Sequence, residues 1–388
     1  MDVLVDLTPL DTTSRLRGIG HYVASLGAAL AALTPSERQG LTLGGLTDLH
    51  GDHALGPLTW PGSERPRYPE VDQMRYIWRR RTHLPLTLRR LAPRLFHSTQ
   101  NLGTPRVTGV PRVLTCHDMI RLVMHEQYLG NPSRAYLEAY RINEVARYAT
   151  ARRVIAVSRF TADDLMKVLA VPASRIDVVH HGVDTERFHP PVDDAERALH
   201  AAQRKALGVD QRPYILFVGA TDPRKQADVL VRAFAEARLQ DTELLFAGWL
   251  TPWQQQAIES VRSEFPGTSI RFLGFVPDES MNALLGGALA LAFPSTYEGF
   301  GMPVLEAMAA GCPVITTAAT SLGEVAGEAA LLLPVVDVPH MVDALTRICR
   351  DEHLRADLRT AGLARARTFT WHATALGHID SYARALRG

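Results

Sequence analysis

The sequence predicts an α/β chain built as two doubly wound units, and three observations carry that prediction. Short apolar runs alternate with helical patterns along the chain, which implies parallel sheets joined by crossover helices. The alternation lapses over residues 189–212, where charge is dense and a proline pair stands near one end. A length of 388 residues also exceeds what one hydrophobic core usually organises, so two domains are expected.

Composition narrows the class. The apolar fraction of 46% and charged fraction of 21% are those of an ordinary globular protein. A net charge of +1 supplies no global attraction to nucleic acid or to an anionic membrane, so no nucleic-acid partner is expected and only a local patch stays open. Cys116, Cys312 and Cys349 are odd in number and widely spaced, without a CxxC pair. They read as buried thiols in a reducing compartment. The start, "MDVLVDLTPL", puts Asp2 and Asp6 where a secretory signal would want basic residues, so a cytoplasmic location is expected. The uncharged stretch over residues 18–36 is rich in glycine and alanine and reads as a buried helix.

The first unit is expected over residues 1–190. A strand at 3–7 leads to a Gly18-Ile19-Gly20 turn and that helix, and "RVLTCHD" and "RRVIAVS" are further strands followed by polar loops. Thr161 with Asp163 and Asp164 suits the start of the helix "FTADDLMKVLA", a hydroxyl cap and early carboxylates complementing the unpaired first-turn amides. Residues 191–212 are the expected linker, with room for a short helix inside it. A second series over 213–370 then runs through "YILFVGA", "ELLFAGW", "IRFLGFV", "LALAFPS" and "PVITT" with helical patterns between, and 371–388 is a final helix pattern. Two such units predict a cleft faced by strand ends and helix starts.

The segment "STYEGFGMPVLEAMAAGCPVITT" holds the sharpest chemical signal. Glu298 and Glu306 straddle Gly299, Phe300, Gly301 and Pro303. The strand before them delivers Glu298 to its carboxyl end, where open parallel sheets bind ligands. Pro303 suits the first position of the next helix, and Glu306 is expected in its first turn. The glycines let backbone amides approach an anion at the positive end of that helix. The arrangement offers carboxylates for sugar hydroxyls and amides for a phosphate. In the plainer alternative Glu306 caps its own helix and the glycines only make a turn.

With seven residues between Glu298 and Glu306, "EGFGMPVLEAMAAGCPVI" resembles the E-x7-E signature of the family 4 retaining glycosyltransferases, whose fold is GT-B. The resemblance extends over most of the chain, with the other landmarks in the same order. It implies two Rossmann-like domains facing a cleft, Glu298 on the donor sugar's hydroxyls, Glu306 on the nucleotide ribose, and the backbone of residues 299–301 near the donor phosphate. It further implies that the terminal helix crosses back onto the first domain. "GATDPRKQADVL" resembles the family's Arg/Lys pair, so Arg224 and Lys225 are implied to hold the donor diphosphate; Gln226 replaces the Asn often found beside it. Fixed cations at a strand end offset the charge growing on a diphosphate leaving group. No D-x-D metal motif occurs, which favours these cations over a divalent metal. No cofactor is expected beyond the nucleotide sugar substrate.

"RVLTCHDMI" places His117 at a strand end of the first domain, resembling the family's catalytic-site histidine, with Asp118 orienting the loop. "RLRGIGHYVASL" resembles the family's glycine loop and implies amides of Gly18 and Gly20 near the diphosphate; its G-x-G-x-x-V spacing fails the NAD fingerprint. "VVHHGVDTERFHP" resembles a segment that usually reads Asn-Gly-Val-Asp, with His181 in the first place and no role assigned to it. Residues 73–117 contain no acid, while Arg75, Arg79, Arg80, Arg81, Arg89, Arg90 and Arg94 are interleaved with Tyr76, Ile77, Trp78 and leucines. That segment suits an anionic membrane face, a phosphorylated or lipid-linked acceptor, or a solvated basic face with Trp78 packed inward. The loops "RGIGHY", "HDMI" and "DPRK" look most like bacterial polysaccharide mannosyltransferases, which implies GDP-mannose as donor ahead of a UDP-hexose, with a glycan or lipid-linked acceptor.

Overall fold

The computed structural model describes residues 1–11, 18–47, 73–100, 104, 109–129, 132–209, 211–219, 222–248 and 252–387. They fall into two compact units, residues 1–182 with 369–388, and residues 183–368.

The first unit holds strands β1 (Val3–Asp6), β2 (Leu43–Leu46), β3 (Leu95–Ser98), β4 (Arg112–Cys116), β5 (Arg153–Ala156) and β6 (Ile176–Val178), all parallel in the order β2-β1-β3-β4-β5-β6. Its helices are α1 (Gly18–Ala32), α2 (Gln73–Leu91), α3 (Ile120–Val123), α4 (His125–Leu129), α5 (Arg134–Ala149) and α6 (Arg159–Leu169). β1, β3 and β4 are buried along their whole length, as expected of strands covered on both faces. The predicted uncharged helix is α1, which ends at Ala32. The cap of α6 differs from expectation: Ser158 leaves β5 extended and its Oγ accepts from Thr161 N at 3.0 Å, so Thr161 is already inside the helix.

The second unit holds α7 (Asp194–Ala206), β7 (Tyr214–Val218), α8 (Ala227–Glu236), β8 (Glu243–Ala247), α9 (Pro252–Glu264), β9 (Ile270–Gly274), α10 (Asp278–Gly286) and β10 (Ala290–Phe293). α11 (Met302–Ala309), β11 (Val314–Thr317), α12 (Ser321–Ala326), β12 (Leu331–Leu333), α13 (Val338–Arg350) and α14 (Glu352–Ala366) complete it. The parallel order is β12-β11-β10-β7-β8-β9. Numbered from its own first strand, this is the doubly wound order 3-2-1-4-5-6, whose switch point lies between β7 and β10.

The expected linker over 191–212 is mostly a helix. Asp193 caps α7 by accepting from Glu196 N at 2.8 Å. The helix lies along α10, with Gln203 donating to the Glu279 carbonyl and Arg204 to that of Ala283. It reads as a linker because most of its surface is solvated and charged, while His200 is the residue that it buries. The division therefore falls at 182/183 rather than at 190. The final helix, α15 (Trp371–Arg387), belongs to the first unit. Its Ala375, Ile379, Tyr382 and Ala385 join Val3, Val5, Tyr22, Val23, Leu26 and Leu30 in one core.

One expectation about the arginine-rich segment is overturned here. Arg80 is fully buried, its Nη1 2.6 Å from Asp6 Oδ2 and 2.7 Å from Thr8 Oγ1, with Nη2 3.1 Å from Thr104 Oγ1. Its charge is matched by the carboxylate at the end of β1, so it ties α2 to the sheet and does not face solvent. Removing either partner would leave an uncompensated buried charge, a cost of about 3–5 kcal/mol. Trp78 is 61% exposed rather than packed inward. The side chains of Arg75, Tyr76, Ile77 and Arg79 lie outside the described residues.

Candidate functional site

β7 and β10 are neighbours in register, Leu216 beside Leu291, and β10 pairs with β11, Phe293 beside Thr316. The loops leaving these three strands are therefore forced together at one edge of the switch point. Those loops carry residues 222–226, 295–301 and 320–321.

Arg224 is the centre of the arrangement. Asp222 caps a short turn over Pro223–Lys225, accepting from Arg224 N at 3.2 Å. The guanidinium then folds back, with Nε 3.1 Å from Asp222 Oδ2 and Nη1 donating to the Tyr297 carbonyl at 2.7 Å while pairing with the Glu298 carboxylate. The backbone completes the staple: Thr296 N and Oγ1 both donate to the Arg224 carbonyl, at 2.7 and 3.1 Å. Ser295 Oγ donates to the Tyr297 carbonyl. From the third loop, Ser321 Oγ reaches the carbonyls of Glu298 at 2.7 Å and Phe300 at 3.0 Å. Arg224 thus braces Glu298 as well as bringing positive charge.

Lys225 sits beside this brace with Nζ 5.1 Å from the centre of the Phe293 ring. Burial pulls its ammonium below the ordinary lysine value, with the Glu298 carboxylate opposing that pull. Gly219 makes room for it: φ is +138° there, and a Cβ would lie 2.0 Å from Lys225 Nζ. Gln226 follows at φ +51°, the corner where α8 begins. Asn adopts that left-handed geometry more readily than other non-glycine residues.

Gly301 is the N-cap of α11 at φ +104°, where a Cβ would meet Leu322 Cδ2 at 2.3 Å. Pro303 is the second helical residue and Glu306 the fifth, so Glu306 stands one residue deeper than expected, just past the first turn, and does not cap the helix. Gly299 and Phe300 are buried in the turn before it. Burial pushes the Glu306 carboxyl from 4.5 up to about 7, with the Arg187 charge pulling down against it.

In the first unit, His117 follows β4, and its Nε2 lies 2.8 Å from the Thr99 carbonyl. A carbonyl only accepts, so the proton is on Nε2 and Nδ1 is the basic nitrogen. Burial keeps the ring below the ordinary histidine value. Asp118 Oδ1 accepts from Ile120 N at 3.1 Å and so shapes the loop. Gly18 and Gly20 form the first turn of α1 instead of a free turn, Gly18 exposed and Gly20 buried; residues 12–17 before them lie outside the described residues.

The sequence of this chain matches two family models, "Glycosyl transferases group 1" over residues 200–365 and "Glycosyltransferase Family 4" over residues 16–187. The D-inositol 3-phosphate glycosyltransferase of Salinispora arenicola is 32% identical over 72% of this chain and 64% of its own length. The D-inositol 3-phosphate glycosyltransferase of Frankia alni is 31% identical over 74% of this chain and 71% of its own length. The chain belongs to glycosyltransferase family 4. Another similar protein, the O-antigen chain mannosyltransferase B of Escherichia coli, is 31% identical over 60% of this chain and 61% of its own length. The chain thus spans less than two thirds of the Salinispora and Escherichia relatives. Sucrose-phosphate synthase of Thermosynechococcus elongatus superposes with a TM-score of 0.73 at 23% identity, over 99% of this chain and 98% of that one. That likeness concerns the fold, which is GT-B.

Within this family 4 chain, Asp222, Ser295, Thr296, Ser321 and Gly219 were not singled out by the sequence. Only the "DP" turn signal before Arg224 hinted at one of them.

The Glu306 carboxyl yields a pH prediction. Its folded value is raised, so its contribution to stability is complete below 4.5 and is lost as pH rises through about 7. A shift of that size is worth at most about 3 kcal/mol, and less here because the residue keeps some exposure. Glu306→Gln should therefore raise the melting temperature near pH 8 by a few degrees, with no gain near pH 4. Equal melting curves at both pH values would contradict this account of Glu306.

Proposed function

We propose that this chain transfers a hexose from a nucleoside diphosphate sugar to a glycan or lipid-linked acceptor, with retention of anomeric configuration. The observation that carries the reading is the braced carboxylate and cation pair, Glu298, Arg224 and Lys225, at the switch point of the second unit. Glu298, its carboxylate fixed by Arg224, orients the sugar hydroxyls. Glu306 accepts from the ribose hydroxyls, and the backbone of residues 299–301 with the start of α11 faces the diphosphate. For the first unit, the family resemblance assigns Gly18 and Gly20, at the start of α1, to diphosphate binding.

No carboxylate is assigned as a nucleophile. The acceptor oxygen bonds to the anomeric carbon on the face that the diphosphate leaves, and the acceptor's proton passes to the departing phosphate oxygen. Lys225 and Arg224 offset the charge that develops there, which fixed charges do well in a partly dehydrated site. On this account a divalent metal is not required. His117 is a hydrogen-bonding partner of the transferred sugar, with Nδ1 free to accept as the tautomer dictates.

Mannose from GDP-mannose is the first donor in this reading, supported by the similarity to a protein named as an O-antigen mannosyltransferase. A UDP-hexose is the second. Release of nucleoside diphosphate from GDP-mannose, UDP-glucose and UDP-galactose, with and without EDTA, tests this with glycan acceptors of bacterial polysaccharide type. The expected result is turnover of one donor, undiminished by EDTA, and loss of about a hundredfold or more in kcat for Lys225→Ala. Loss in EDTA restored by magnesium would refute the metal-free step. Tight nucleotide binding without turnover would favour a silent nucleotide-sugar binder on the same fold.

The outward face of α2 supports contact with an anionic membrane, close to a lipid-linked acceptor. Trp78 and Leu86 are 61% and 62% exposed and stand about two turns apart on one side of the helix. Exposed Arg81, Arg89 and Arg90 flank them, while Arg80, Leu84 and Leu88 are buried. No helix among the described residues is long and apolar enough to cross a membrane, so contact would be interfacial. Flotation with phosphatidylglycerol vesicles is expected to recover the wild-type chain and to lose the Trp78→Ala/Leu86→Ala variant. Equal recovery of both, or of neither, would refute this face as the contact.

A further inference from the structure

Four histidines, His97, His117, His181 and His378, are gathered with Tyr22 and Tyr382 in the interior of the first unit. They come from β3, the ends of β4 and β6, α1 and α15. Their hydrogen bonds can be oriented one by one. His378 Nδ1 is 2.8 Å from the Thr374 carbonyl, which has no proton to give, so Nδ1 donates and Nε2 is left as an acceptor. The Tyr22 hydroxyl, 3.0 Å from that Nε2, must donate to it. With its proton committed, the Tyr22 oxygen accepts from Thr115 Oγ1 at 3.1 Å. Thr115 has then spent its proton and accepts from His97 Nε2 at 2.8 Å. His97 Nδ1 in turn accepts from the Tyr382 hydroxyl at 2.7 Å.

The result is a chain of five hydrogen bonds with a single direction, from Tyr382 through His97, Thr115, Tyr22 and His378 to the Thr374 carbonyl. It begins and ends on α15. Burial keeps each titrating member neutral: His97 is held well below the ordinary histidine value, His378 is pulled down to about 4, and both tyrosines are raised.

The ring of Tyr22, anchored this way, stands edge-on to His117 with centroids 4.7 Å apart at 80°, and 4.7 Å from the ring of His181. His117 has its Nε2 proton on Thr99 and this ring against its side. We propose that Tyr22 is a positioning residue for His117, locked by a one-directional hydrogen-bond chain that makes the C-terminal helix α15 part of the His117 site. A phenylalanine would fill nearly the same space, so apolar burial alone does not call for the hydroxyl. What the hydroxyl adds is orientation, since a fully satisfied buried network admits few alternative packings. The proposal rests on the reading of His117 as a group that contacts the transferred sugar.

The test compares Tyr22→Phe, His117→Ala and the double variant in the full chain, with kcat and donor KM measured for each. Tyr22→Phe is expected to lower kcat by about tenfold while donor KM stays within about twofold, and to add nothing in the His117→Ala background. Wild-type kcat in Tyr22→Phe, or losses that multiply in the double variant, would overturn the proposal. A second readout is independent of turnover: two-bond nitrogen–carbon spectra of the imidazoles. These are expected to show His117 as the Nε2–H tautomer in the wild type and as a mixture in Tyr22→Phe and in His378→Phe. An unchanged tautomer in both variants would also overturn it. If the wild-type chain transfers no sugar, the proposed function fails, and the spectra alone decide whether α15 sets the His117 ring.

Discussion

The pairing of Arg224 with Glu298 is the constraint on which the candidate site depends. It joins loops separated by more than seventy residues, and it can form only because β7 and β10 are adjacent at the switch point of a doubly wound sheet. Ser295, Thr296 and Ser321 lock the backbone around it. A carboxylate held by a guanidinium and a buried staple has little freedom to reorient, which is what positioning a sugar hydroxyl requires. Lys225, by contrast, presents its charge beside an aromatic face with space kept by Gly219. Adjacent basic residues thus sit differently: one holds a carboxylate, and the other lies beside an aromatic ring.

Burial costs something at both carboxylate positions, and the structure meets that cost differently. Glu298 is paired with Arg224. Glu306 is not matched so directly, and its carboxyl is driven up to about 7. Residues held in an unfavourable environment are common at functional sites, where stability is given up for binding. Glu306 fits that pattern, since hydrogen bonds from a ligand's hydroxyls would favour its charged form.

Much of this was legible in the sequence, and the exceptions have physical causes. Parallel strands buried on both faces leave continuous apolar runs, so β1, β4, β7 and β10 could be placed from sequence, and with them the positions of His117, Arg224 and Glu298. The helix over 194–206 was legible only as a short helix that a linker could hold, because it is mostly solvated and charged. Arg80 read as part of a basic surface because nothing local announces that Asp6, far away in sequence, lies beneath it. The bracing role of Arg224 and the contribution of Ser321 depend on strand order, which periodicity does not encode. The histidine chain was equally invisible, since its members are separated by up to hundreds of residues and meet only when α15 returns to the first sheet.

The central claim is that the Arg224–Glu298–Lys225 cluster and Glu306 together hold a nucleoside diphosphate sugar. A crystal structure of the chain with a bound nucleoside diphosphate tests it most directly. The account predicts phosphate oxygens within hydrogen-bonding distance of Lys225 Nζ, the ribose hydroxyls on Glu306, and the Arg224–Glu298 pair intact. A nucleotide bound elsewhere, or one at this site that leaves both Lys225 and Glu306 untouched, would contradict it.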